Sequence, residues 1–417
     1  MNNLRKLDEE SFSPAGGVLD RASLRRIVCE STRSQCKNSF NGELRAIVLI
    51  GSLARDEASF RSKADCWELF GDAEFLLVFE KNRVRSRETL NALRQRIEND
   101  LRERKIHCTI DLSAVSENYF RKLPPHIFSY ELKRCGQVIC GEDRVLRLIP
   151  DFSVHELSKE DAWRLLCNRM IEQLAFVEDL SNMVSELTPR LHYATVKLYL
   201  DMATSYLVFA GAYEPTYRER EKTLRLLAAQ ATQTSDVPFP LKDFSQRVSD
   251  CTDWKLSGDV PSDLRRDFWE EAVDFASNLW RWEVTQLTKA SRDSSTSALY
   301  DHLTRQLKFT DKLRGWASAV RRSGGLRSWY NWPRWARLGL HASPRYLVYR
   351  VGTELFFRLP YLVRSANRPP KAESDLAKLK PFLLTSGSSS GPCQGDWQVL
   401  AYQVFSNYLQ FVTTTRA

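Results

Sequence analysis

Gly51-Ser52, Asp72, Glu74 and Asp111 are the residues of this 417-residue chain whose types and spacing could do chemistry. A glycine lets backbone N–H groups approach a phosphate closely, and the Ser52 hydroxyl adds a donor. Carboxylates hold magnesium, which prefers oxygen ligands and usually keeps several waters. A pair of such ions can activate an attacking oxygen and stabilise a leaving pyrophosphate. The set therefore points to a nucleoside triphosphate, such as ATP, held with two Mg2+ ions. Asp72 and Glu74 would be the shared metal ligands. Asp111 would complete the site and help deprotonate an acceptor hydroxyl. The residues after Ser52 would open a helix whose N-terminus favours anions, with Arg55 adding a positive charge there.

Strands must position these groups. Ala46-Ile47-Val48-Leu49-Ile50 is a short apolar run that stops at Gly51, as a buried strand does. Phe75-Leu76-Leu77-Val78-Phe79 is a second, entered through Gly71-Asp72-Ala73-Glu74. Side chains alternate along a strand, so positions 72 and 74 share a face, roughly 7 Å apart. Two acids on one face repel each other unless a cation lies between them. Ile106 to Leu112 is a third strand, which carries Asp111 to the same edge if it lies beside the second. Between them Leu90, Leu93, Ile97 and Leu101 recur at helical spacing among charged residues, as in an amphipathic helix covering a sheet.

Three segments carry a family resemblance: Leu49-Ile50-Gly51-Ser52-Leu53-Ala54-Arg55, Asp72-Ala73-Glu74-Phe75-Leu76-Leu77-Val78 and Ile110-Asp111-Leu112. With them the chain resembles the polymerase-beta-type nucleotidyltransferase superfamily. The resemblance implies that the Gly-Ser turn binds triphosphate and that the three acids bind two metal ions. Two departures stand out. The gap from Ser52 to Asp72 is longer than usual, and the second acid is Glu where Asp is commoner. Two other readings stay open: a surface Gly-Ser turn with unrelated exposed acids, and a nucleotidyltransferase-like domain without activity.

Composition excludes several classes. The nine cysteines include no CxxC pair and the six histidines no metal-ligand spacing, which argues against structural zinc and a disulfide framework. No Ser-His-Asp motif is present. Met1 to Arg26 is polar and charged, unlike a signal peptide, and no stretch reaches the length of a spanning helix. A cytoplasmic protein is expected, peripheral at a membrane in one version of that reading.

After Pro124-Pro125, a short helix is expected from Ile127 to Leu132 and a strand over Gly136 to Asp143. The latter resembles segments that close the catalytic sheet in aminoglycoside-type nucleotidyltransferases, which sets a boundary near Pro150. From Ser158, a plausible N-cap, the pattern turns helical. Helices are expected over Trp163–Leu180, Leu191–Ala210, Tyr217–Ala229 and Ser262–Thr288. Lys197 and Asp201 are four apart and share a helix face, with Tyr193 one turn earlier. The segment resembles the helical domain that accompanies many such transferases. That resemblance implies that Lys197 contacts the triphosphate and that Asp201 orients it or the acceptor. A plain surface ion pair is the alternative. Tyr213, Tyr217 and Arg218 are read either as cleft lining or as loop packing. Asn168-Arg169 is too common a pair to support a ribonuclease.

Ala290 to Ser297 reads as a polar linker. Beyond it, residues 312–371 carry thirteen Lys or Arg and one acid, Glu354. That is +12 in a chain of net +9, so the basic character belongs to this region. Aromatics interleave it, Trp316, Trp329, Tyr330, Trp332, Trp335, Tyr346 and Tyr349 among them. Three readings are open: packing on the bundle with a solvated basic face, an anionic membrane surface, or RNA. A final helix is expected over Trp397–Val412.

The expected architecture is α+β. A nucleotidyltransferase-like mixed sheet with flanking helices occupies 1–150, a helical bundle 151–290, and a basic, aromatic-rich extension 298–417. The expected reaction is Mg2+-dependent transfer of a nucleoside monophosphate from an NTP to a hydroxyl, releasing pyrophosphate. The acceptor is open among a small molecule, an RNA end and a protein, and so is the oligomeric state. The alternatives are an inactive nucleotide-binding module and an RNA- or membrane-associated adaptor.

Overall fold

The computed structural model describes residues 20–40, 42–63, 65–80, 86–182, 186–232, 236–258, 265–322, 332–364, 376–385 and 396–412. In sequence, Asn367-Arg368-Pro369-Pro370 and Thr385 to Pro392 read as flexible breaks; 367–370 and 386–392, with Trp329, Tyr330 and Cys393, lie outside the described residues. The chain is mixed α/β and divides into two compact units, Met1–Arg121 with Gly136–Leu148, and Lys122–Cys135 with Ile149–Ala417.

The first unit is a five-stranded sheet. Helix α1 (Arg21–Phe40) leads into strand β1 (Leu44–Ile50) and the single turn α2 (Gly51–Ala54). Strand β2 (Ser59–Lys63) then turns back into the long β3 (Cys66–Phe79). Helix α3 (Arg87–Glu103), capped by Ser86 whose hydroxyl accepts from the Thr89 N–H at 3.1 Å, crosses over to β4 (Ile106–Ser116). Strand β5 (Gln137–Gly141) completes the order β2-β3-β1-β5, with β4 beside β3. Among the described strands only β3 and β4 run parallel, which is why a helix must connect them. The apolar face of the sheet, including Ile47, Leu49, Phe75, Leu77 and Ile110, packs with Leu24 and Val28 of α1 and Leu93, Ile97 and Leu101 of α3.

The hairpin β2–β3 accounts for the long gap between Ser52 and Asp72. Ser59 to Lys63 pairs antiparallel with Phe70 back to Cys66, so the extra residues extend the sheet.

The second unit is helical. Short α4 (Glu117–Arg121) closes the first segment of the first unit, and α5 (Ile127–Cys135) belongs to the second. The main helices are α6 (Lys159–Glu172), α7 (Val177–Asn182), α8 (Pro189–Phe209), α9 (Tyr217–Gln230), α10 (Leu241–Ser257) and α11 (Arg266–Thr288). Hydroxyl caps start three of them: Ser158, Thr188 and Thr216 accept from backbone N–H groups three residues on. Then come α12 (Thr296–Gln306), α13 (Phe309–Arg322), α14 (Trp332–His341), α15 (Pro344–Arg364) and α16 (Asp396–Phe411).

The stretch 298–417, read as an extension of its own, places many of its described apolar residues in the same core as 151–290. Tyr349, Leu355 and Phe356 of α15 join Trp163, Leu166, Trp280 and Leu279 in one cluster. The charges that interrupt α15 in sequence form a ladder along it: Glu354 pairs with Arg350 at 3.8 Å and with Arg358 at 3.4 Å. No helix among the described residues is long and apolar enough to cross a membrane.

Candidate functional site

The site residues of the first unit are set by sheet register. On β3, Ala73 and Phe75 point into the core while Asp72 is exposed and Glu74 half-buried, so the two acids alternate onto the face opposite α1 and α3. On β4, Ile110 and Leu112 take the core side, which turns Asp111 to that same face. The parallel ladder aligns Asp72 with Thr109 and Glu74 with Asp111. On the other side of β3, Ile50 of β1 aligns with Glu74, so the chain reaches Gly51 right beside that acid. Three carboxylates and the Gly-Ser turn thus share one strip of the sheet.

Two glycines make this strip possible. Between Glu68 and Asp72 the β3–β4 register shifts, and Gly71 takes φ +104° at that bulge. A bulge re-aims the strand beyond it, here where Asp72 begins the acidic strip. Gly51 has φ +68°, and a Cβ built on it would meet Glu74 Oε2 at 1.9 Å. The Glu74 carboxylate therefore lies directly against the turn, in space that any other residue would fill.

The turn is held from beneath by a residue that the sequence does not single out. The Gln137 side chain of β5 donates from Nε2 to the Ala54 carbonyl at 2.6 Å and accepts from Arg25 of α1. Its role depends on β5 pairing with β1 across most of the first unit. No spacing in the sequence signals it.

Arg55 differs from its expected use. Its Nε donates to Glu57 at 3.0 Å, and the two side chains are 7% and 5% exposed. The charge is neutralised within the protein. The helix after Ser52 is also one turn only, Gly51–Ala54, with no side-chain cap.

Lys197 and Asp201 stand on α8 of the second unit. Asp201 pairs across to α6, where Arg169 Nε donates to its Oδ2 at 2.6 Å, with the side chains 18% and 13% exposed. Asp201 is therefore a strut between two helices. Lys197 lies 5.6 Å from the centroid of the Tyr193 ring, and buried Lys255 donates to the Tyr193 hydroxyl at 2.9 Å. Asn168 accepts from the Tyr349 hydroxyl at 2.7 Å, so the Asn168-Arg169 pair is absorbed into packing. Tyr213 is buried, and it and Tyr217 flank buried Arg220, at 5.4 Å and 4.6 Å from their ring centroids. Arg218 reaches Asp253 at 2.6 Å.

No disulfide joins two of the described cysteines. Burial lifts the Cys29 thiol to about 11 and the Cys36 and Cys108 thiols to about 12, with the Asp72 charge adding to the effect at Cys108.

The donor set fits magnesium in kind: it is all carboxylate oxygen, on one strip of adjacent strands. Among the described residues, no three His, Cys, Asp or Glu side chains are gathered closely enough to hold a metal ion. The backbone register brings the three acids to one strip. The chain matches no family model and no curated protein.

Proposed function

We propose that the first unit is a nucleotidyltransferase site, moving a nucleoside monophosphate from an NTP to a hydroxyl with release of pyrophosphate. The observation that supports it is the register itself: Glu74 opposite Asp111, Asp72 two residues earlier on the same face, and Gly51 against the Glu74 carboxylate. Asp72, Glu74 and Asp111 would hold Mg2+, which when bound lowers the barrier at both the attacking and the leaving oxygen. The residues of this chain bind and orient. The positive-φ backbone at Gly51 brings N–H groups close to a phosphate, and the Ser52 hydroxyl donates to it. A carboxylate oxygen of Asp111 accepts the proton of the acceptor hydroxyl. Most of the catalytic effect of such a site is charge placement and positioning. Arg55, neutralised by Glu57, shapes the turn and leaves the phosphates to other groups.

The test is Mg2+-dependent pyrophosphate release from each of the four NTPs by the full chain. The expected result is release with at least one of them, abolished by Asp72→Asn combined with Glu74→Gln. Equal release in both proteins refutes transfer at this site. The pairing of Arg55 with Glu57, which takes a cation from the turn, favours a second reading, a nucleotide-binding module without turnover. Calorimetry separates the two: NTP heat with no pyrophosphate supports the module.

A further inference from the structure

In the second unit, α12, α13, α14, α15 and the turn Lys380–Phe382 surround a cavity of about 1230 Å³. Its lining is strongly basic: Arg305, Lys312, Arg334, Arg337, Arg350 and Lys380, against one acid, Asp301. That acid is already committed. Asp301 pairs with Arg350 at 2.9 Å, and the Arg350 guanidinium also stacks over the Phe382 ring at 4.1 Å. The other five cations make no ion pair among the described residues. Arg334 donates to the Lys380 carbonyl at 2.9 Å, yet its Nε is buried with no partner. Burial and the like charge of Arg337 hold its guanidinium below the usual range. Crowded cations of one sign repel one another until an anion arrives.

Three exposed apolar side chains stand on the helices that line the cavity. Leu340, which itself lines the cavity, is 81% exposed, Phe309 72% and Leu313 53%. Phe309 and Leu313 are one turn apart on α13, hence on one helix face. Lys312, between them in sequence, donates to the His341 carbonyl at 3.2 Å and so joins this part of α13 to the end of α14 beside Leu340. A free phosphate needs the charges but gains nothing from exposed Leu and Phe side chains. Single-stranded RNA needs aromatic rings on which to stack. Trp335, Tyr346 and Tyr349 are buried in the core, whereas Phe309 and Trp332 are exposed and stand with the aliphatic Leu313 and Leu340, which offer a base nothing to stack on. Basic residues around exposed apolar ones suit the interface of an anionic bilayer.

We propose that this face docks on an anionic phospholipid bilayer. A lipid phosphate headgroup seats among Arg305, Lys312, Arg334, Arg337 and Lys380, while Phe309, Leu313 and Leu340 enter the headgroup–acyl boundary. The docking does not depend on the nucleotide chemistry of the first unit.

The test uses the full chain in co-sedimentation with vesicles of phosphatidylcholine alone, with added phosphatidylserine, or with added phosphatidylinositol bisphosphate. Binding is expected only to the anionic vesicles, weakening as salt rises. Arg334→Gln with Arg337→Gln weakens it roughly tenfold or more. Phe309→Ser with Leu340→Ser also weakens vesicle binding but leaves calorimetric binding of soluble inositol trisphosphate unchanged. Lys242→Gln, an exposed charge removed from α10, has no effect. Thermal melts show that each variant folds. The proposal is overturned by no vesicle binding, by equal binding of both double variants and wild type, by binding of inositol trisphosphate or inorganic phosphate with no binding to any vesicle, or by RNA binding tighter than vesicle binding.

Discussion

At the residue scale, Gly51 and Glu74 form one unit: the carboxylate occupies the space a Cβ would take. Gly51→Ala places a side chain at a left-handed backbone position, costing about 1–2 kcal/mol, and drives the Glu74 carboxylate out. A lower melting temperature together with lost NTP binding is expected; binding at the wild-type level contradicts the contact. The acids themselves were legible, because strand alternation puts positions 72 and 74 on one face. The Arg169–Asp201 pair was not, since its partners lie on different helices and no local spacing links them. A third residue lay outside every motif. Glu283 is fully buried, accepts from the Ser205 hydroxyl at 2.5 Å, and has its Oε2 without a partner. Burial pushes its carboxyl from an ordinary 4.5 up to about 8. The folded state therefore holds a proton that the unfolded chain releases. This contribution is fully present below pH 4.5 and is lost as pH rises through about 8. Glu283→Gln stays neutral throughout. Melting curves across this window are expected to fall less steeply with pH for the variant than for wild type; parallel curves contradict a protonated Glu283.

At the element scale, the strands carrying the acids were readable from their apolar runs, whereas β2 was not. Ser59-Phe60-Arg61-Ser62-Lys63 has only one large apolar residue, and its pairing with Cys66–Phe70 makes it a strand. The same holds for α10, where Leu241, Phe244, Val248 and Cys251 form a sparse stripe that is decisive only against the bundle. On α15 the charges Arg350, Glu354 and Arg358 fall at four-residue spacing, and their pairing supports the helix. The link between α6 and α8 carries its own prediction. Asp201→Ala leaves the largely buried Arg169 without its α8 partner, which costs about 3 kcal/mol of stability in urea denaturation. A loss under about 0.5 kcal/mol means the pair is no strut.

At the scale of the whole molecule, the net charge of +9 hides a division of labour. The acids that could hold cations sit on the strip of the first unit, and cations without acidic partners line the cavity of the second. Composition located the basic region but not its form. Part of its charge is internal pairing, as at Arg350 and Arg358, and only the folded chain separates those cations from the ones lining the cavity. Transfer by the first unit is measured most directly as pyrophosphate release by the Asp111→Asn and Asp72→Asn proteins beside wild type, titrated with Mg2+. The expected result is a saturable Mg2+ dependence in wild type and a loss of at least 100-fold in each variant, with melting temperatures unchanged. Rates that match wild type, or release that needs no divalent ion, contradict it.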